Sequence, residues 1–270
     1  MSELVRVTPE SAGWGYTGLR IVEVAAGGDF SCDTGMDETV VVPLAGACTV
    51  VAGGDRAELA GRSSVFAGVT DVAYVPLGRE LTLSSTEGGR FALAAARAAA
   101  QHPFRHVRAD QVPVELRGAG PCSRQVHNFG VPEVLSADRI IACEVLTPGG
   151  NWSSWPPHKH DEQRAGESEL EEIYYYEVAR GGPGYQRVYG TAERPIDVLT
   201  EVRTGDVVLI PHGWHGPSMA APGYDMYYLN VMAGPGARQW LIRDDPAHAW
   251  VRETWAAQPI DPRLPLRGIR

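Results

Sequence analysis

Two histidines one residue apart, His158 and His160, stand in the stretch PGGNWSSWPPHKHDEQRAGESELEEIYYY (148–176). Side chains at i and i+2 of an extended strand share a face, so both imidazoles can aim at one ion. Glu172 then opens the β-prone run Ile173, Tyr174, Tyr175 and Tyr176, a predicted strand that brings a carboxylate back to the imidazoles. A third imidazole follows in GDVVLIPHGWHGPSMAAPG (205–223), where Val207 to Ile210 reads as a strand, Pro211 and Gly213 as its turn, and His215 comes next. His158, His160, Glu172 and His215 make a borderline-to-hard donor set suited to Zn, Mn, Fe, Co or Ni. A site with four such protein ligands does chemistry when five- or six-coordinate, and the lack of thiolates agrees with a catalytic rather than a closed structural role. Glu171 points to the opposite strand face, so only one of the adjacent glutamates can join. Glu172 is preferred to Glu171 and Glu169 because it directly precedes the apolar-aromatic run. His215 is preferred to His212, which lies on the turn itself.

Strands must position these residues. ADRIIACEVLTPGG alternates and ends in turn residues, so it leads directly into the histidine stretch; YQRVYG, DVLTEVRTGDVVLIP and GYDMYYLNVMAG continue the pattern. Between Arg6 and about Arg97, short apolar or alternating runs recur between Gly, Pro and Asp, again the mark of an antiparallel sandwich or barrel. That half has no histidine before His102, so it lacks the imidazoles for a second copy of the site. Ala98 to Gly120 reads as a connection, with His102 and His106 as surface histidines because Pro103 opposes a helix there. The tail from Ala237, with Trp240, Trp250 and Trp255, reads as a short helix or two closing over the sheet. The expectation is an all-β chain of two units, residues 1–110 and 111–270, the first a worn-down copy of the second.

Composition excludes several classes. A formal charge of −9, from 33 acidic against 24 basic residues, disfavours a nucleic-acid surface, and no basic stripe is visible. The N-terminus lacks an apolar signal core, and no apolar run approaches the ~18 residues of a membrane span, so a cytoplasmic protein is expected. Cys32, Cys48, Cys122 and Cys143 are scattered without a CxxC pair and read as reduced, mostly buried thiols.

The coupled segments resemble the two halves of the cupin metal motif, an HxH pair with a following Glu and then a PxG turn with its His. GGNWSSWPPHKHD, LEEIYYY, GDVVLIPHGWHG and APGYDMYYLNVMAG are more closely similar to the 5-deoxy-glucuronate isomerase family of bacterial myo-inositol catabolism. The resemblance extends in weaker form to AYVPLG (73–78) in the first half. It implies a bicupin of two antiparallel jelly-roll β-barrels, only the C-terminal one metal-binding. It also implies an aldose–ketose isomerisation of 5-deoxy-glucuronate to 5-dehydro-2-deoxy-gluconate. The insert EQRAGESEL between Asp161 and Glu171 is longer than a generic cupin gap and bears on the choice of glutamate.

Such a reaction needs charge stabilisation at two adjacent oxygens, which a divalent ion can supply, together with a proton shuttle. Shuttle candidates are a hydroxide on the ion, Glu144, Tyr174 to Tyr176, and Tyr227 or Tyr228, with the ligand Glu172 alongside. The substrate carboxylate calls for a cation: Arg124, Lys159, Arg187 or Arg243, of which Arg187 on its strand is preferred. The partner is a small uronate, and the sequence admits a homo-oligomer. Rival expectations are the 5-keto-4-deoxyuronate isomerase of pectin breakdown, an Fe(II) cupin dioxygenase, and a non-catalytic sugar-binding cupin.

Overall fold

The computed structural model describes residues 2–266, so Met1 and the last four residues of the expected second unit, 267–270, lie outside it. In the first unit, strands Ser2–Val7, Thr17–Val24, Gly89–Arg97, Asp37–Ala52, Val72–Val75 and Arg105–Val107 hydrogen-bond in that order. Asp37–Ala52 is 16 residues long and changes partners along its length. Its first part pairs with Gly89–Arg97 and Val72–Val75; its second pairs with Asp55–Arg62 and with Glu80–Ser85, which carries Gly28–Asp33 beyond it. Gly46 sits between the two parts at φ +94°, where a Cβ would lie 2.5 Å from the Gly88 carbonyl oxygen, so the position takes glycine. Val50, Leu59, Leu81 and Leu83 on one side and Val22, Val41, Phe91 and Leu93 on the other form this unit's internal core.

The second unit faces one six-stranded sheet against another. The larger, which has the longer strands, runs Val114–Arg117, Arg124–Gly130, Ile141–Thr147, Met226–Ala233, Glu171–Val178, Val207–Ile210. The other runs Asp197–Val202, Gly184–Tyr189, Trp214–Ala220, His158–Lys159, Arg243–Asp244, with Trp152–Ser153 also on Trp214–Ala220. Two expectations are corrected here. Among the described residues neither unit closes into a barrel: the chain switches sheets through turns such as 203–206, and bulky Tyr174, Tyr176, Tyr228, Met226 and Met232 fill the space between facing sheets. The expected connection 98–120 also supplies two edge strands, Arg105–Val107 and Val114–Arg117. The tail carries the short helix Trp250–Glu253 and a 3₁₀ turn, Thr254–Ala257.

The larger sheet of the second unit is buried on both faces. One face packs against the first unit through Ile173, Tyr175, Tyr227, Leu229 and Val231, which share a core with Leu19, Ile21, Val40 and Val42. The other presents Tyr174, Tyr176, Tyr228 and Met232 to the facing sheet. Strand alternation makes the division by residue parity, so Glu172 falls with Tyr174 and Glu171 with Tyr175.

Candidate metal centre and its cavity

His158 and His215 are direct cross-strand partners, and His160 follows the short strand His158–Lys159. The ring centroids of His158–His215, His160–His215 and His158–His160 lie 4.4, 4.8 and 6.2 Å apart. One nitrogen from each of the three rings lies within 4.8 Å of the others. Glu172 reaches them from the larger sheet: its Oε2 is 3.1 Å from His160 Nε2 and 3.0 Å from His215 Nε2. Its Oε1 accepts a 2.7 Å hydrogen bond from Asn230 Nδ2. All four ligand candidates are buried.

The hydrogen bonds test whether these residues suit a cation. His160 Nδ1 lies 3.2 Å from the Leu170 carbonyl and His215 Nδ1 3.4 Å from that of Gly213. Carbonyls only accept, so each Nδ1 carries a proton, and in the neutral imidazole, the form that ligates a metal, each Nε2 presents a lone pair. Two lone pairs then face a carboxylate oxygen, and His215 Nε2 makes no hydrogen bond at all despite its 3.0 Å approach. A cation resolves this acceptor-against-acceptor arrangement, and the donor set fits a divalent metal. Electrostatics agree. Burial opposes the charge on Glu172, yet positive charge on the His215 and His160 side overcomes it and brings its pKa to about 2, and the same carboxylate raises the His160 pKa, so protons take the cation's place when no metal is bound. Burial and the neighbouring rings keep His158 neutral, its pKa well below the ordinary value.

Beside His158 opens a cavity of about 180 Å³, walled by Arg117, Arg124, Ser154, Tyr174 and Tyr228, with Asn230, Trp240 and Arg252 completing it. At ~30 Å³ per water this is room for about six waters, the scale of one small sugar acid. Ser154 Oγ lies 3.1 Å from the Tyr174 hydroxyl and 3.4 Å from that of Tyr228, a chain of hydroxyls along the wall. Burial drives the Tyr174 pKa well above its ordinary value and raises that of Tyr228, so both stay protonated at neutral pH. A larger groove of about 570 Å³ on the first unit, lined by Cys48, Thr49, Glu58 and Ser84 among others, has no histidine in its wall.

The structure thus brings His158, His160, Glu172, His215, Tyr174, Tyr228 and Arg124 together and leaves other expected residues outside. Glu144 is on the opposite face of its strand from Cys143 and Val145, and its carboxylate binds Arg62 of the first unit at 2.6 and 2.8 Å. Lys159, between the two histidines, necessarily points away from them; its ammonium binds Asp161, Glu162 and Glu167. Arg187 turns outward to Asp197 and stacks over Tyr189, while Gln186 takes the inward place. Arg243 is exposed on an edge strand. Glu171 is occupied at the unit boundary by the backbone N–H groups of Gly15, Tyr16 and Thr17, and Glu169 is exposed. Tyr176 bonds Gln186 and Ser218, Tyr227 bonds Glu144, and Tyr175 bonds Glu177. His102 and His106 bond Ser136 and Asp71 and form no pair. Sequence reasoning missed Arg117, Asn230, Trp240 and Arg252. Parity from Tyr228 would have pointed to Asn230; nothing local pointed to the others.

A mostly β chain with a histidine–glutamate centre between facing sheets is cupin-like. An oxalate decarboxylase variant from Bacillus subtilis shares the fold at a TM-score of 0.63 and 11% identity, over 88% of this chain and 74% of that one. A family model described as KduI/IolB matches residues 2–251, and the chain belongs to that family. It is 43% identical over 255 residues to a 5-deoxy-glucuronate isomerase of Geobacillus kaustophilus (strain HTA426), covering 93% of this chain and 91% of that protein. It is 37% identical to the 5-deoxy-glucuronate isomerase of Bacillus subtilis (strain 168), over 92% of each. The crystal structure of an IolB-like protein from Salmonella typhimurium LT2 superposes at a TM-score of 0.88 with 35% identity, covering 93% and 95% of the two chains.

Proposed function

We propose that this chain is an aldose–ketose isomerase converting 5-deoxy-D-glucuronate to 5-dehydro-2-deoxy-D-gluconate in myo-inositol catabolism. The observation that carries the reading is the match, over more than nine-tenths of both chains, to relatives named for that activity. The family match, residues 2–251, takes in all four ligand candidates. The architecture is that of a bicupin whose second unit alone holds metal, through His158, His160, His215 and Glu172. A divalent ion there supplies Lewis-acid polarisation of a carbonyl and its adjacent hydroxyl.

The residues of the chain do the rest. Overall, a hydrogen leaves C2 and one arrives at C1, while a proton passes from O2 to O1. With its pKa held at about 2, Glu172 stays an ionised ligand and is not a proton carrier. Neutral Tyr174, linked through Ser154 to Tyr228, donates to the oxygen that gains charge and relays protons along the hydroxyl chain. The apolar and aromatic side chains between the sheets keep bulk water from the reacting carbons. Tyr174→Phe is expected to lower kcat by ~10²-fold, the lower end for a positioned proton donor, with metal content unchanged. Undiminished kcat in that variant would remove Tyr174 from the relay.

The test of the function is a proton NMR time course of metal-loaded protein with 5-deoxy-glucuronate under anaerobic conditions, beside a chelator-stripped sample. Loss of the C1 aldehyde or hemiacetal signal with matching growth of a ketose, only in the loaded sample, is expected. Absence of conversion at verified metal occupancy would refute the substrate assignment, and the pectin-derived uronate and then oxygen uptake would be examined.

A further inference from the structure

Three guanidinium groups line the cavity beside His158, and two of them are already neutralised. Arg117 holds Glu115 through Nε and Nη2 at 2.8 and 2.7 Å. Arg252, from the short tail helix, holds Asp244 in the same two-pronged way at 2.5 and 2.6 Å. Arg124 differs. Its hydrogen bond is from Nη1 to the Cys122 carbonyl at 3.0 Å, and among the described residues no carboxylate lies within ion-pair distance of it. The residue is 6% exposed, so water is a poor substitute partner. The Trp255 ring centroid lies 5.5 Å from the guanidinium carbon of Arg124 and 4.7 Å from that of Arg252.

A buried, uncompensated cation is costly unless an anion joins it. Burial, with Arg117 and Arg252 nearby, lowers the Arg124 pKa to about 10, which still leaves it charged at neutral pH. Alternation places Arg124 and Val126 on the cavity side of their strand, and the cavity they line also contains His158 and the Ser154–Tyr174–Tyr228 hydroxyls. A planar guanidinium matches a carboxylate by two parallel hydrogen bonds, a geometry that an ammonium does not reproduce.

We propose that Arg124 receives the carboxylate of the sugar acid bound in this cavity, making it the residue that selects uronates over neutral sugars. The inference rests on the isomerase reading for the sugar that turns over, but not for carboxylate recognition itself. Two measurements separate them. The first is binding of D-glucuronate against D-glucose to the metal-loaded protein, read by isothermal titration calorimetry. The wild type is expected to favour glucuronate, Arg124→Gln to lose that preference, and Arg124→Lys to keep only part of it. The second is turnover. With 1.5–3 kcal/mol for a hydrogen bond to a charged group and 1.36 kcal/mol per tenfold, losing two such bonds in Arg124→Gln predicts a fall of roughly 10² to 10⁴-fold in kcat/KM for 5-deoxy-glucuronate. The neutral analogue 5-deoxy-glucose should change by less than about threefold on the same argument. Added guanidinium ion should restore part of the activity of Arg124→Ala, a rescue that a misfolded variant would not show. The proposal fails if wild-type protein binds glucose as well as glucuronate, if Arg124→Gln keeps the preference, or if both sugars lose turnover equally without rescue. Wild-type protein that prefers glucuronate yet leaves 5-deoxy-glucuronate unconverted would overturn the isomerase reading and uphold the anchor.

Discussion

His215→Ala is expected to lose bound divalent metal and to lower kcat/KM for 5-deoxy-glucuronate by at least ~10³-fold, since Lewis-acid stabilisation contributes several kcal/mol and each 1.36 kcal/mol is tenfold. The change removes one of two Nε2 atoms that now face Glu172 Oε2, at 3.0 Å, and leaves a two-histidine site. The sheet should survive, because His215 lies on a seven-residue strand whose backbone pairing with Gly184–Tyr189 does not need the ring. Metal analysis, far-ultraviolet circular dichroism and turnover on one preparation check the three parts together. A variant that keeps both metal and full turnover would mean that the centre is built from other ligands.

Arg62→Met is expected to cost ~3–5 kcal/mol of stability at neutral pH, the usual result of removing one partner from a buried ion pair. The side chains of Arg62 and Glu144 are 3% and 1% exposed, and Glu144 also engages His127 at 2.6 Å and the Tyr227 hydroxyl at 3.0 Å. Removing the guanidinium strands a carboxylate between the two units. Burial alone would raise the Glu144 pKa, but Arg62 and His127 overcome it and bring it from 4.5 to about 2. A depressed carboxylate contributes its stability in full above its unfolded pKa and loses it as pH falls through the folded one. The gap between wild type and variant should therefore be full above about pH 4.5 and shrink toward pH 2. Urea unfolding at stepped pH measures it; a gap that is small at pH 7, or constant with pH, would contradict the assignment. The same network commits both oxygens of Glu144 to Arg62, His127 and Tyr227 at the unit boundary, away from the cavity beside His158.

The clustering of the three histidines and Glu172 was legible because their spacing carries geometry. In HKH, i and i+2 must share a face, and the EE pair had to divide between two faces. Glu144 and Arg187 were not legible, for opposite reasons. IACEVLT is buried at every position because its sheet is covered on both sides, so no alternation of apolar and polar residues marks the face that looks at the histidine cluster. In GYQRVY alternation does exist, but the inward polar residue is Gln186, and charge alone made Arg187 the more attractive choice. Lys159 was excluded by the same parity that selected its two neighbours. Arg117 and Arg252 reach the cavity from an edge strand and a tail helix 135 positions apart in the numbering, which no local pattern connects. The choice between open, facing sheets and a closed barrel was not legible, since strand periodicity is identical whether a ladder closes or its chain crosses over at a turn such as 203–206.

The doubly covered sheet has a consequence for how such a chain can change over time. Among the described residues the first unit has no imidazole cluster, yet its Leu19, Ile21, Val40 and Val42 are the lining against which the reverse side of the sheet that carries Glu172 rests. Substitutions that erased a binding site there would leave this lining intact and pass unnoticed. Deleting the unit would bare Ile173, Tyr175, Leu229 and Val231 and leave Glu144 without Arg62. Inheritance can therefore discard the chemistry of the first half freely while remaining bound to keep its shape.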